Sequence, residues 1–322
     1  MESMGRPGRL RLPRRIESGA AGKTGRAATL LLEGSRIAVE PAAPGLYVVA
    51  TPIGNLGDVT VRALKVLAGV SLIACEDTRI TRRLTAHYGI ETKLVPYHEH
   101  NAEKVRPMLL DRLDRGDSLA LVSDAGTPLI SDPGFRLVSE AIAQGCAVTV
   151  APGPTAPVSA LILSGLPSDR FFFEGFLPAK SAARRKRLAL LKDIPGTLLF
   201  FESPRRLAAS LDDLAAALGP RPAALAREMT KKFEETRRGR LDELAASYAA
   251  EPPPKGEIVI AVAPPGAAEA GENIDIDALL EELLATMSLR DAAGEAARLT
   301  GLPRKTLYAR ALERSGAGGE RR

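Results

Sequence analysis

Histidine and cysteine are scarce in this chain of 322 residues: His87, His98 and His100 are the only histidines, Cys75 and Cys146 the only cysteines. Both cysteines lie inside apolar segments and neither has metal-ligand spacing, so they read as buried small hydrophobes in a reducing compartment. A zinc site or a histidine-based hydrolase has little to be built from. Aromatic residues make up 4% of the chain, too few for a broad base-stacking platform. No apolar run reaches the roughly 18 residues that a membrane span needs, and the N-terminal stretch has no apolar core long enough for a secretory signal. A cytoplasmic location is expected. What the chain does have is 45% hydrophobic residues, enough for real cores, and a length that fits two ordinary domains with a small appendage.

The formal net charge is +5, but residues 1–44 carry eight basic and four acidic side chains, so the body is close to neutral. Whole-chain basicity is mostly a property of this Gly-, Pro- and Arg-containing stretch, which reads as a flexible basic extension. Any case for RNA must rest on local patches.

From Gly45 onward, short β-rich runs alternate with amphipathic helical stretches. Strands are predicted at 46–50, 70–75, 118–122 and 147–151, and helices at 59–68, 78–88, 101–115 and 134–144, with Gly89 ending the second helix. Such alternation with short connections predicts an α/β domain over 45–165 with a largely parallel sheet. A second α/β domain is expected over 166–263. Its strands fall at 171–173, 197–201, 222–226 and 257–262, and its helices at 181–193, 204–217 and 241–250. The Pro/Gly/Ala-rich run that begins PPGAAEAGEN reads as a linker, 264–274, and 275–322 as a helical, helix-turn-helix-like appendage around Thr300-Gly301-Leu302-Pro303.

Three Gly/Pro loops follow three strands of the first domain: Thr51–Asp58, Ser123–Gly134 and Ala151–Ala156. Loops at the carboxyl ends of neighbouring strands converge on one crevice, where α/β ligands usually sit. Glycine lets backbone approach a ligand and proline pre-sets loop shape. The dinucleotide fingerprint and the lysine-bearing P-loop are both missing, which points to backbone recognition of an uncharged adenosine or amino-acid moiety. Asp124 is placed to meet a ligand hydroxyl or ammonium, and Asp132 to cap the helix that begins near Gly134.

Taken in order, Thr51-Pro52-Ile53-Gly54-Asn55-Leu56, Cys75-Glu76-Asp77-Thr78-Arg79, Tyr97-His98-Glu99-His100-Asn101, SDAGTPLISDPG, Pro152-Gly153-Pro154, Gly175-Phe176-Leu177-Pro178 with Lys180, and Ala226-Arg227-Glu228-Met229-Thr230-Lys231 resemble one family. It is the bacterial ribosomal RNA small subunit methyltransferase I family, within the tetrapyrrole methylase superfamily. The resemblance covers about 45–262, and the helical tail resembles the family's appendage. It implies two α/β domains with S-adenosylmethionine bound between them, a homodimer, and 2′-O-methylation of a cytidine in the decoding region of small-subunit ribosomal RNA. The implied partner is that RNA or the small ribosomal subunit. Carried over by position, the cofactor set is Pro52, Gly54, Ser123, Asp124, Ala125, Gly126, Thr127, Pro152, Gly153 and Pro154. Phe201, Arg205 and Thr155 depart from the family's usual tyrosine, histidine and serine.

Methyl transfer of this kind is an in-line displacement that needs alignment and a proton acceptor; it needs no metal. Glu76, Asp77, His98, His100 and Asp124 are the candidate bases. Glu76, Asp77 and Arg79 form the expected catalytic group, although Asp77 can equally cap the following helix and Arg79 pair at the surface. Candidate RNA contacts are Lys180, Arg184, Arg185, Arg205 and Lys231. A tetrapyrrole methyltransferase of the same superfamily and a non-enzymatic RNA-binding or ribosome-assembly protein are the competing readings.

Overall fold

The computed structural model describes residues 28–131, 134–266, 276–300 and 303–317. The chain divides into two compact units, one running to Ser159 and including Met229–Lys232, the other Ala160–Glu228 and Phe233 onward. The first boundary thus falls a few residues before the expected 165/166. The turn Met229–Lys232 groups with the first unit although it lies far along the chain.

The first unit is built on a five-stranded parallel sheet of β3 (Gly45–Val49), β4 (Leu72–Cys75), β5 (Leu94–Pro96), β6 (Ser118–Val122) and β7 (Val148–Ala151), in the order β5-β4-β6-β3-β7. A parallel sheet covered on both faces needs apolar residues at every position rather than at alternate ones. SLALV in β6 and LIAC in β4 are accordingly buried throughout. Ala120 and Val122 face one core with Leu64, Leu67 and Ile73, and Leu119 and Leu121 face another with Leu109, Leu113 and Leu137. The helices supplying these cores are α1 (Val61–Gly69), α2 (Thr78–His87), α3 (Ala102–Asp114) and α4 (Phe135–Ala143).

Residues 28–39 correct the expectation of an extension over all of 1–44. They form an antiparallel hairpin, β1 (Ala28–Leu32) and β2 (Ser35–Val39). Its two-residue turn has Glu33 at φ 49° and Gly34 at φ 79°, the double positive φ that a tight hairpin favours. Leu30 is buried in the core of the first unit, and the Leu31 N–H donates to the Tyr88 carbonyl at 2.7 Å. Residues 1–27 lie outside the described residues.

The second unit carries a mixed sheet in the order β11-β10-β12-β9-β8, from β8 (Phe171–Phe176), β9 (Thr197–Glu202), β10 (Pro222–Arg227), β11 (Glu235–Arg240) and β12 (Ile258–Val262). Only β8 and β9 pair in parallel; the other pairs are antiparallel. Helices α6 (Ser181–Leu191), α7 (Leu207–Leu218) and α8 (Leu241–Ala250) cover one face through Leu188, Leu198, Phe200, Leu211, Leu214, Leu225 and Ile260. Helix α5 (Ala156–Ser164) spans the unit boundary. Three further helices, α9 (Ile276–Leu284), α10 (Leu289–Thr300) and α11 (Arg304–Ala317), close on Leu280, Ala296, Leu307 and Ala311.

Candidate active site

Because all five strands of the first sheet are parallel, their carboxyl ends deliver the loops after β3, β4, β5, β6 and β7 to one edge. Those loops are stitched together by backbone. Thr51 and Gly126 form an antiparallel bridge, the Thr51 N–H donating to the Gly126 carbonyl at 2.9 Å and the Gly126 N–H returning to Thr51 at 3.1 Å. The Thr51 hydroxyl donates to the Ser123 carbonyl at 3.2 Å, and the Thr127 hydroxyl to the Pro154 carbonyl at 3.0 Å. Three loops from three strands thus become one rigid rim. Gly126 has φ +78°, and a Cβ there would lie 3.1 Å from Ile53 Cγ2 and 3.5 Å from the Pro154 carbonyl oxygen. Only glycine fits that position without strain. Every cofactor position expected from the sequence lies on this rim or its flanks; Ala125 and Pro152 are exposed, whereas Ser123 and Gly126 are buried. Asp132 lies outside the described residues.

The acidic group stands beside this rim. The Asp77 N–H donates to Asp124 Oδ1 at 2.9 Å, tying the loop after β4 to the loop after β6. Asp77 is the N-cap of α2, its carboxylate accepting from the Arg79 N–H at 2.8 Å and from the Arg79 guanidinium. These bonds with Arg79 pull the Asp77 carboxyl down to about 2. Asp77 and Arg79 are therefore occupied with each other and with the helix start. Glu76 is different. Burial pushes its carboxyl up, and the neighbouring Asp124 charge pushes it further. Burial also raises Asp124. Two half-buried carboxyls that repel each other hold protons more tightly than free ones, the usual condition of a proton-accepting site. Nδ1 of His98 is buried with no hydrogen-bond partner, and the His98 and His100 rings are 6.0 Å apart.

The RNA-contact set divides. Lys180 and Arg205 are exposed. Lys231 lies in the turn that groups with the first unit, where its aliphatic chain and the Thr230 hydroxyl would crowd any Cβ at Gly54. Arg184 is a correction: its side chain is 3% exposed and pairs with Asp213, which is 2% exposed. Its guanidinium also donates to the carbonyls of Ala179 and Ala209, both at 3.2 Å. A charge run on a predicted helix reads as a solvated face, but one of its four cations is buried structure. Arg185 shares Asp213 while remaining more than half exposed. The sequence placed Thr51 in the first loop but gave no sign of the bonds by which it joins Gly126 and Ser123, and it gave none of Asp213 as the partner of Arg184 and Arg185.

Residues 45–245, well over half of the chain, match the Tetrapyrrole (Corrin/Porphyrin) Methylases family, and residues 270–315 match the RsmI C-terminal HTH domain. Among solved structures the chain is similar in fold to diphthine synthase, with a TM-score of 0.53 and 15% identity over 68% of this chain and 89% of that one. It is similar likewise to the methyltransferase CobJ, with a TM-score of 0.52 and 19% identity over 69% and 95%. The chain belongs to the tetrapyrrole methylases by its family match and fold, a methyltransferase class that uses S-adenosylmethionine. Within that class it belongs to the ribosomal RNA small subunit methyltransferase I family. It is 54% identical to the protein of that name from Mesorhizobium japonicum, over 89% of this chain and 97% of the relative. It is 48% identical to the one from Escherichia coli O157:H7, over 84% and 96%.

Proposed function

We propose that this protein transfers a methyl group from S-adenosylmethionine to the 2′-hydroxyl of a cytidine in the decoding region of small-subunit ribosomal RNA. The observation that carries the reading is near-full-length identity of about half to proteins named for small-subunit ribosomal RNA methylation. The strand-end rim supports it. S-adenosylmethionine supplies an electrophilic methyl carbon on a sulfonium, and carries an ammonium and a carboxylate but no phosphate. A rim of carbonyls with Asp124, Glu76 and Asp77 nearby suits such a ligand. Lone pairs and carboxylates meet its cationic centres and hydroxyls, while the backbone reads the adenosine. In this reading Pro52, Gly54, Ser123–Thr127 and Pro152–Pro154 hold the cofactor.

Glu76 accepts the ribose proton, Asp124 keeps its carboxyl basic, and Asp77 with Arg79 fixes the first turn of α2 so that the loop after β4 keeps its shape. Proton acceptance by a positioned side chain typically contributes about 10²–10⁴-fold, and alignment of the ribose oxygen contributes the rest. Lys180, Arg185, Arg205 and Lys231 meet RNA phosphates; Arg184 does not.

The protein works in the cytoplasm, where small ribosomal subunits are; no helix among the described residues is long and apolar enough to cross a membrane. It works as a homodimer, a reading supported by exposed Phe135 and Ile142 on α4 and Val150 on the edge strand β7. Methylation mapping of small subunits from a deletion strain, with the purified protein added back, tests the function. Restoration of one 2′-O-methylcytidine is the expected result; restoration of no methyl group on that RNA would overturn it.

A further inference from the structure

Among the exposed phenylalanines of the second unit, Phe171, Phe176 and Phe233, Phe176 is set apart by the strand bulge that precedes it. β8 carries a bulge: Phe173 stands opposite Leu199, Gly175 opposite Phe200, and Phe176 opposite Phe201. In an unbroken strand, residues three apart point to opposite faces. The extra residue, Glu174, shifts the alternation, and Gly175 at φ +78° absorbs the bend. Phe173 and Phe176 therefore share one face, the face of Phe201. The Phe201 ring meets Phe173 edge-on at 4.9 Å and Phe176 at 5.4 Å, tilted by 56°. Phe176 is thus braced by its neighbour, yet remains 57% exposed. A strand has been bent to hold an apolar ring in solvent.

What flanks that ring is cationic. β8 and β9 run in parallel with Phe176 opposite Phe201, so Lys180 and Arg205, each four residues further on, leave the same end of the sheet. Most arginines nearby are engaged: Arg184 and Arg185 with Asp213, Arg187 with Glu174, Arg206 with Glu202. Lys180 and Arg205 are exposed and make no ion pair among the described residues. The two loops that bear them are locked together beneath the surface. The Arg206 guanidinium donates to the Leu177 carbonyl at 2.6 Å, and Arg184 donates to the Ala179 carbonyl at 3.2 Å. Glu202, buried, holds Arg206 in turn through Oε1, which also accepts from the Ser203 N–H at 2.7 Å, while its Oε2 accepts from the Ser210 hydroxyl.

We propose that Phe176 is a stacking contact for an unpaired nucleobase of the RNA substrate, with Lys180 and Arg205 receiving the phosphates on either side of it. A braced ring loses little rotational freedom on binding, and a base covers apolar surface that now faces water. Two exposed cations leaving the same end of the sheet as the ring suit the phosphates of a nucleic acid better than the chemistry of an apolar protein partner. The inference rests on RNA being the substrate. It adds a substrate-binding residue that composition concealed: 4% aromatic content rules out a platform but leaves room for a single ring.

The test compares full-length wild type with Phe176→Ala, Phe176→Leu and Phe176→Trp, measuring initial rates of methyl transfer from S-adenosylmethionine to purified small ribosomal subunits. Alanine and leucine are expected to raise KM for the subunits by about 10-fold, as loss of one base–aromatic stack would, leaving cofactor affinity and sedimentation coefficient unchanged. Tryptophan is expected to restore wild-type KM. A leucine variant as good as wild type would overturn the inference, because apolar bulk without a π-face would then suffice. A change of oligomeric state in the alanine variant would overturn it too, by assigning the ring to a protein contact. An inactive wild type would sink the RNA reading itself, a different outcome from an active wild type indifferent to Phe176.

Discussion

Replacing Arg184 with alanine separates two readings of a basic helix. If Arg184 binds RNA, the variant should fold normally and lose affinity. The geometry predicts the reverse. Arg184 and Asp213 are 3% and 2% exposed, and removing one member of a buried ion pair typically costs about 3–5 kcal/mol, because the other charge is left without its partner. The two deletions differ in size. Without Arg184, Asp213 still accepts from Ser181 at 2.9 Å and from Arg185, which places the loss near ~3 kcal/mol. Without Asp213, Arg184 keeps only carbonyl acceptors, so the loss moves toward ~5 kcal/mol. In a domain of this size each kcal/mol lowers Tm by about 2–4 °C. Arg184→Ala should therefore melt roughly 6–12 °C below wild type, and Asp213→Ala lower still. The effect depends on pH. Burial pushes the Asp213 carboxyl up, but Arg185, Ser181 and Arg184 together hold it below its ordinary value. Its stabilisation is thus present above the unfolded carboxylate pKa and lost as pH falls through the folded value. Calorimetric scans from neutral to acid pH, with RNA filter binding at a temperature where both proteins are folded, measure both quantities. An Arg184→Ala protein that melts with wild type but binds RNA more weakly would refute the reasoning.

Three further outcomes are expected. Gly126→Val forces a β-branched residue to φ +78° and against Ile53, a strain of at least about 1–2 kcal/mol. Titration calorimetry should show cofactor affinity reduced by about 10-fold or more, and undiminished affinity would remove the site from this rim. Glu76→Gln should lower kcat by about 10²–10⁴-fold with cofactor binding retained. Because Glu76 must be deprotonated to accept a proton and its carboxyl is raised by burial and Asp124, the wild-type rate should fall with decreasing pH at a value above that of an ordinary glutamate. A glutamine variant at wild-type rate would rule Glu76 out as base. Lys180→Gln and Arg205→Gln should each flatten the dependence of log affinity on log salt by about 1; unchanged slopes would mean that neither side chain meets a phosphate.

Much of the first unit was legible because its signals are local. A continuous apolar run with a Gly/Pro loop after it marks a buried parallel strand, and β6 falls where the run SLALV does. The loops could be proposed as neighbours from the fold class alone. The bonds that join them, Thr51 to Gly126 and Asp77 to Asp124, link residues about fifty to seventy-five positions apart and leave no local trace. β11 was missed for another reason. Glu235-Thr-Arg-Arg-Gly-Arg has no apolar alternation, and this edge strand is tied by its ladder to β10 and by ion pairs of Glu235 with Arg227 and of Arg237 with Glu251. The hairpin β1–β2 did carry a signal, two apolar runs about a Glu-Gly turn, but the basic composition around it drew the reading toward an extension. Arg184 shows the limit most plainly. Four consecutive basic residues look alike in sequence, and only the position of Asp213 on α7 decides which of them is buried.

The backbone stitching of the rim has a consequence for how freely its sequence can vary. Where carbonyls and N–H groups alone hold the loops together, as between Thr51 and Gly126, substitution at an exposed neighbour such as Ala125 leaves the bonds in place, whereas substitution at Thr51, Thr127 or Asp124 removes a side-chain bond of the rim. Tolerance also stops where a Cβ has nowhere to go, at Gly126 against Ile53, at Gly153, whose Cβ would lie 3.0 Å from Ala50 Cβ, and at Gly54 against Lys231 and Thr230. A saturation library across 51–54, 123–127 and 152–154 should therefore read as intolerance at those glycines and at Thr51, Asp124 and Thr127, with exposed positions such as Ala125 the more permissive ones. An enzyme laboratory seeking to accept a bulkier methyl-donor analogue would do best to vary the permissive positions and leave those three glycines untouched.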